Sequence, residues 1–537
     1  MVKKTWLAAL CGVVLTVSLA GVPAASAAEA PSAQHCADMA RLHIPDATVT
    51  SATVNTSGVF TIPPGQGGPG EGSPGDTFDG LPAYCDVEIT QGRVGIGVWL
   101  PLDWNGRFEG VGGGGFVSGI SWRAMSAALR AGYATASTDT GHPDAQGYDG
   151  SFALAADGTL DRPVIEDFAY LAVHRMTVTG KAVTTSFYGR APRYMYFEGC
   201  SMGGRQALAE AQRYPSDYDG IVAGSTAVDF PRLAAMQLWP QFVMLRAHDF
   251  MPSCKFTAFQ QAVIAKCDGL DKVRDGVIAD LAACRFDPRT LIGRSTDCGV
   301  ITATDAAVMR QIWDGPRTGA HGQGRRLWYG SPYGFDASFL AHTYVGGDGR
   351  LTGYPLYIAS GWYRYWLARD PDFDWKSLTT RTYLRMFREG VATFPTLESD
   401  DPDLTAFRDH GGKLLLWTGL ADPLIPPQGT IGYYRSVVHR MGGPKRTDRF
   451  ARLFLAPGVG HCAGTGTVAP APLDRMGPLA RWVEHGTAPA SLLATTVDEP
   501  TGQVTASRPV CVYPLVARYD GTGDTEDARN FTCARRY

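Results

Sequence analysis

The sequence has no C-x-x-C pair, no excess of basic charge and, past its first two dozen residues, no long apolar run. Each absence closes off a class. Without paired cysteines at ligand spacing, a structural zinc site is not expected. Lys+Arg total 49 against Asp+Glu 52, a net charge of −3. That balance leaves nothing to neutralise a phosphate backbone, so nucleic acid is not an expected partner. No later stretch reaches the ~18 apolar residues of a membrane span, so the mature chain is expected to have no membrane partner. No internal repeat is visible. Charged residues make up only 19% and hydrophobic ones 45%, which excludes a mostly disordered chain.

What is present begins with length. The 537 residues exceed the ~250–300 that one core supports, so more than one domain is expected. The N-terminus reads as an export signal over 1–27. Met1-Val2-Lys3-Lys4 is a basic head, Trp6 to Val22 is apolar or small, and Ala25-Ser26-Ala27 is a small-x-small cleavage site. Cleavage removes Cys11 and leaves ten cysteines: Cys36, Cys85, Cys200, Cys254, Cys267, Cys284, Cys298, Cys462, Cys511 and Cys533. An even count in an exported chain implies a disulfide framework and an extracellular location. Aromatics are 11%, with 12 Trp, ample for pockets that take flat apolar ligands.

Apolar runs at 94–100, 107–111, 132–137, 194–198, 220–224, 413–417 and 451–455 read as strands. Periodic stretches at 122–131, 167–180 and 206–213 read as helices. Their alternation argues for an α/β architecture with a mostly parallel sheet and helices on both faces. Residues 62–76 are Gly/Pro-rich and read as a loop. The stretch 227–400 breaks the rhythm, holds four of the ten cysteines and many aromatics, and reads as an inserted domain. It divides a core domain into 28–226 and 401–537.

Gly199-Cys200-Ser201-Met202-Gly203 fits G-x-S-x-G between a predicted strand and a predicted helix, the setting of a nucleophile elbow. The glycines permit a sharp turn that projects the Ser201 hydroxyl and puts the Met202 N–H at a helix N-terminus. A serine hydroxyl needs a base, and the base needs an orienting acid. In α/β-hydrolases these follow in the order Ser, Asp/Glu, His. Asp422 sits five residues after the strand ending at Trp417, and His461 just after the last strand. Asp401 and Asp403 are fallback acids. His142 is placed near the cleft and His174 in the core or on the surface. A second oxyanion donor is expected from the Gly112–Gly115 loop, at Gly114 or Gly115. The expected fold is therefore an α/β-hydrolase with a large inserted lid. Cys200 directly precedes the candidate nucleophile and Cys462 directly follows the candidate base. If Ser201 and His461 meet, these cysteines are close enough to bridge. Such a link removes about 5 kcal/mol of unfolded-state entropy in the chain-entropy treatment.

Cys-Ser, Asp and His-Cys in that order resemble the tannase/feruloyl esterase family, which also includes a mono(2-hydroxyethyl) terephthalate hydrolase. The resemblance covers nearly the whole mature chain, including Gly112–Gly115, Thr138-Asp139-Thr140-Gly141-His142, Gly199–Gly203, Cys267–Cys284 and Gly460-His461-Cys462. It implies a triad of Ser201, Asp422 and His461, a Cys200–Cys462 bridge, and hydrolysis of phenolic or aromatic acid esters through an acyl-enzyme. Small aromatic esters, free or on plant cell-wall polysaccharide, are the implied partners. Relatives commonly carry His-Gly before the acid, where this chain has Thr418-Gly419. That departure puts any contact from the histidine in doubt.

Three acids at 268, 271 and 275 repel one another unless a cation lies between them. The resemblance implies a structural calcium held by side chains of Asp268, Asp271 and Asp275 and carbonyls of Val273 and Val277. Nearness and resemblance together suggest Cys36–Cys85, Cys254–Cys298, Cys267–Cys284 and Cys511–Cys533. Trp328, Tyr329, Trp362, Tyr363, Tyr365 and Trp366 are candidates for an aromatic wall over substrate, and Arg364 for a carboxylate contact. A terephthalate monoester hydrolase, a serine peptidase on the same fold and a non-catalytic binding protein are the competing readings.

Overall fold

Strand β8 (Lys413–Gly419) illustrates how the sheet is made. Leu414 and Leu416 point to one apolar cluster and Leu415 and Trp417 to another, the two-residue period of a strand buried on both faces. The computed structural model describes residues 1–2, 33–67, 72–116, 119–142, 148–319, 324–498 and 500–535. The export signal expected at 1–27 thus lies outside the described residues apart from Met1 and Val2, and the 62–76 loop is described except at 68–71.

The other sheet strands are β1 (Thr48–Asn55), β2 (Tyr84–Gln91), β3 (Val94–Pro101), β4 (Arg107–Val111), β5 (Ala134–Thr138), β6 (Tyr194–Cys200), β7 (Gly220–Gly224) and β9 (Ala451–Ala456). The order is β1-β2-β3-β5-β4-β6-β7-β8-β9. From β5 to β9 all neighbours are parallel. The β1–β3 edge and its junction with β5 are antiparallel. The mostly parallel expectation therefore holds across six strands. Strand β1 is Thr/Ser-rich and only half-buried, and β2 interrupts its apolar positions with Asp86 and Glu88, so neither carries a strong strand signal in the sequence.

Helices α1 (Trp122–Arg130), α2 (Ala172–Tyr188) and α3 (Met202–Arg213) follow strands in the first half. A π-helical turn, Asp167–Leu171, leads into α2, and α3 begins directly after Ser201, four residues earlier than expected. Between β7 and β8 the chain adds nothing to the central sheet. It forms helices, among them α4 (Ser253–Cys267), and two-stranded ribbons. Pro31–Tyr537 is nevertheless one compact unit, because inserted and sheet-side residues share one apolar cluster. Phe230, Trp239, Trp362, Trp366 and Tyr383 pack there with Phe116, Phe168 and Met202. After β8 come α5 (Pro427–Arg440) and α6 (Met476–His485). Two antiparallel hairpins close the chain: Ser491–Asp498 with Gln503–Cys511, and Leu515–Tyr519 with Phe531–Arg535.

Five disulfides are present: Cys36–Cys85, Cys200–Cys462, Cys254–Cys298, Cys267–Cys284 and Cys511–Cys533. Among the described residues no helix is long and apolar enough to cross a membrane.

Candidate active site

The turn between β6 and α3 is steeply folded. Ser201 has φ 64° and ψ −121°, a region that costs a non-glycine residue strain and persists only where the surroundings impose it. Those surroundings are glycine backbones. A Cβ on Gly199 would collide with the Gly203 carbonyl, and one on Gly112 would lie 2.7 Å from the Gly203 Cα. The Ser201 N–H donates to the Gly224 carbonyl at 2.9 Å, and the Ser201 carbonyl accepts from Arg205 and Ala227. The Met202 amide is the first of α3, one of the helix donors with no intrahelical partner.

The glycine loop after β4 packs against this turn. The Gly112 N–H donates to the Glu198 carbonyl at 3.0 Å. The Gly113 N–H donates to the buried Gln206 side chain at 3.2 Å. Gly115 has φ 60°, and the Tyr357 hydroxyl is close to its Cα.

Asp422 follows β8 and is fully buried. Its Oδ1 accepts from the Leu424 and Ile425 amides, each at 2.9 Å. His461 Nδ1 lies 2.9 Å from Oδ2 and 3.1 Å from Oδ1. An ionised carboxylate only accepts, so Nδ1 carries the proton and Nε2 is left as an acceptor. The two loops are tied by backbone as well: the Leu420 and Ala421 amides donate to Ala456 and Val459 carbonyls at 2.9 and 3.0 Å. The His461 loop is pinned in turn, its N–H to the Thr465 carbonyl at 2.9 Å. Cys462 and Ala463 take positive φ of 53° and 62°.

The Cys200–Cys462 bridge holds those Cα atoms 5.9 Å apart. Consecutive Cα atoms are 3.8 Å apart, so the Ser201 and His461 Cα atoms are separated by at most about 13.5 Å. The bridge thus draws together the turn bearing Ser201 and the loop whose histidine meets Asp422. The fallback acids lie elsewhere: Asp403 pairs with Arg440, and Asp401 takes the Tyr433 hydroxyl on its carbonyl. His142 is buried and stacks on Phe152 at 3.8 Å. His174 stacks on Tyr214 at 3.6 Å and meets Asp217 at 2.7 Å. Thr418 is buried in β8.

Trp362 and Trp366 are buried and spend their rings on Phe230, Phe116 and Phe394. Tyr363 is buried too, while Arg364 is exposed and Tyr365 half-buried. Arg364 shares a cavity of about 450 Å³ with Tyr354, Tyr357, Asp372 and Trp375. Sequence reasoning missed Arg205 and Gln206. Their signal was two adjacent polar side chains directly after the paired glycines that open the helix.

In the acidic loop, Asp268 Oδ1 accepts from the Asp275 and Gly276 amides at 3.2 and 3.1 Å. Asp275 Oδ2 pairs with Arg508 at 3.0 Å. Burial pushes the Asp271 carboxyl up, and the Asp275 charge adds to the rise against the Val273 amide. Val273 and Val277 are buried, and their amides donate to Asp271 Oδ1 and Asp275 Oδ1 at 3.0 and 3.1 Å. Carboxylate oxygens and backbone carbonyls are of the donor type that suits a hard cation. The three carboxylates do not themselves converge. Among the described residues, the group of three acidic or histidine side chains with ligand atoms within 4.8 Å of one another is His174, Glu210 and Asp217.

The sheet order, the strained serine turn and the acid and histidine on later strand-end loops define an α/β-hydrolase. Comparison with known proteins narrows this. The family described as tannase and feruloyl esterase matches residues 85–534. The chain is 41% identical to a probable feruloyl esterase of Arthroderma benhamiae over 84% of this chain and 86% of that one. It is 31% identical to the mono(2-hydroxyethyl) terephthalate hydrolase of Piscinibacter sakaiensis over 84% and 85%. The solved tannin acyl hydrolase from Aspergillus niger superposes with a TM-score of 0.81 at 25% identity, covering 95% of this chain and 97% of that one. The chain belongs to the tannase/feruloyl esterase family and is a carboxylic ester hydrolase.

Proposed function

We propose that this protein is an exported serine esterase that cleaves esters of phenolic or aromatic carboxylic acids through an acyl-enzyme on Ser201. The observation that carries the reading is the short contact between His461 and buried Asp422, on a loop bridged to the residue before Ser201. Five disulfides suit an oxidising, extracellular compartment.

Ser201 Oγ attacks the ester carbonyl carbon while His461 Nε2 takes its proton. The bond to the alcohol oxygen breaks, and the imidazolium gives that proton to the leaving alkoxide. Water, deprotonated by the same nitrogen, then attacks the acyl-serine, and the carboxylic acid and free Ser201 are released. Asp422 holds the tautomer and stabilises the imidazolium. The Met202 amide and an amide of Gly114 or Gly115 receive the oxyanion; Gly113 is spent on Gln206. Residues 227–400 act as the lid over this centre, and Arg364 is the candidate contact for a substrate carboxylate.

Asp268, Asp271 and Asp275, with the carbonyls of Val273 and Val277, would hold calcium. These residues would use the ion's charge to offset the loop's three acids and stiffen the loop, apart from ester cleavage. The test of the reading is Ser201→Ala assayed on methyl ferulate, a gallate ester, a terephthalate monoester and a peptide panel. Loss of ester turnover is expected, with the wild type inactive on peptides. Turnover retained by folded Ser201→Ala would overturn it.

A further inference from the structure

Arg205 lies four residues after Ser201 on α3 and is completely buried. Its partners are all neutral. Nη1 donates to the Ala169 carbonyl at 2.7 Å and Nη2 to the Phe168 carbonyl at 2.9 Å. Nε donates to the Met202 sulfur at 2.8 Å. The guanidinium carbon lies 5.5 Å over the Phe168 ring. Burial lowers its pKa to about 9, which still leaves it a cation near neutrality. Burying a charge against neutral groups is costly, and a packed apolar side chain would fill the space without that cost.

The geometry indicates what the cost serves. Helical side chains lean toward the N-terminus of their helix. The guanidinium therefore lies beneath the first turn of α3, where it grips the side chain of Met202, the residue that supplies the first oxyanion amide. Its other two bonds go to consecutive carbonyls of the π-helical turn Asp167–Leu171, and such turns are frequent at functional sites. Phe168 of that turn packs on Phe116 at 5.9 Å and Phe152 at 5.2 Å. Phe116 directly follows Gly115. One side chain thus joins both halves of the oxyanion site: the Met202 turn directly, and the glycine loop through Phe168 and Phe116.

We propose that Arg205 is a positioning residue for ester hydrolysis: it fixes the Met202 amide against the glycine loop, and its buried positive charge reinforces the field at the α3 N-terminus where the oxyanion forms. The proposal rests on the reading of Ser201 as nucleophile. A fixed charge in a water-excluded site needs no reorganisation as negative charge develops, so its effect falls on kcat rather than on KM.

The experiment compares Arg205→Met, Arg205→Lys and Met202→Leu in the full chain. Melting temperature and circular dichroism establish folding, and methyl ferulate kinetics are run well below the lowest melting point. Arg205→Met should lower kcat about 10²-fold with KM held within about threefold, in the range of losing one oxyanion contact. Arg205→Lys, which keeps the charge but not the fork, should recover part of that loss. Met202→Leu, which keeps the amide and removes the sulfur partner, should lose roughly threefold in kcat. If Arg205→Met fails to fold, Arg205→Lys and Met202→Leu carry the test. Wild-type kcat in the folded Arg205 variants, or a loss confined to melting temperature or KM, overturns the proposal. Labelling of wild-type Ser201 by a fluorophosphonate separates this failure from failure of the underlying reading: absence of label removes Ser201 as nucleophile whatever the Arg205 variants do.

Discussion

Two disulfide-bound loops of this protein are built differently. Cys200–Cys462 links positions 262 apart and joins the serine turn to the histidine loop. Cys267–Cys284 links positions 17 apart and closes a local loop rich in acids. Around the first, geometry is determined several times over: a strained serine packed on glycine backbone, a carboxylate taking two amides and an imidazole, and backbone bonds between the loops. Around the second, Asp268, Asp271 and Asp275 each accept backbone amides of their own loop, and Asp275 also pairs with Arg508. A loop finished by its own hydrogen bonds can position a reacting group. The second loop crowds three acids into eight residues, and calcium is the ion proposed for it.

The comparison can be broken at its strongest point first. Asp422→Asn should lower kcat about 10⁴-fold while leaving the fold intact, because the wrong imidazole tautomer then faces Ser201. Ester kinetics with a circular dichroism control check this, and a loss below tenfold would remove Asp422 from the site. Next, Cys200→Ser with Cys462→Ser should remove about 5 kcal/mol in the chain-entropy treatment and lower kcat as well. Denaturant melts paired with kinetics read the two effects separately. Cys267→Ser with Cys284→Ser should cost about 3 kcal/mol and leave kcat at 25 °C nearly unchanged; a kcat loss equal to that of the other pair would erase the contrast.

Calcium removal sharpens it further. With free calcium a hundredfold above Kd, binding contributes about 2.7 kcal/mol. A chelator should then lower Tm by a few degrees, with kcat at 25 °C held within about twofold. An unchanged Tm, with no metal found by elemental analysis, would exclude the ion. The smallest effect is expected from Arg508→Gln, which takes the resident cation from Asp275 and should make Tm depend more steeply on added calcium.

Much of this was legible in the sequence because it rests on local grammar. G-x-S-x-G flanked by strand and helix marks the serine turn, and β-branched or apolar runs mark β4, β6, β7, β8 and β9. The Asp422 and His461 positions followed from their distance past strand ends. What the sequence obscured depends on tertiary environment. The edge strand β1 carries alternating Thr, Ser and Val that a coil also tolerates, and β2 breaks its apolar pattern with Asp86 and Glu88. Trp362 and Trp366 are candidates for a wall over substrate from sequence, and the structure places their rings in a core shared between the insertion and the sheet. Arg205 reads as an ordinary helical arginine until its burial and neutral partners are visible.

The central claim, that the hydroxyl of Ser201 reacts beside a histidine stapled to it, is tested most directly by labelling the native enzyme with a fluorophosphonate, digesting without reduction and sequencing the adduct by mass spectrometry. The account predicts one adduct, on Ser201, in a peptide disulfide-linked through Cys200 to the fragment carrying His461 and Cys462. An adduct on another residue, no adduct, or a labelled Ser201 peptide free of that partner would contradict it.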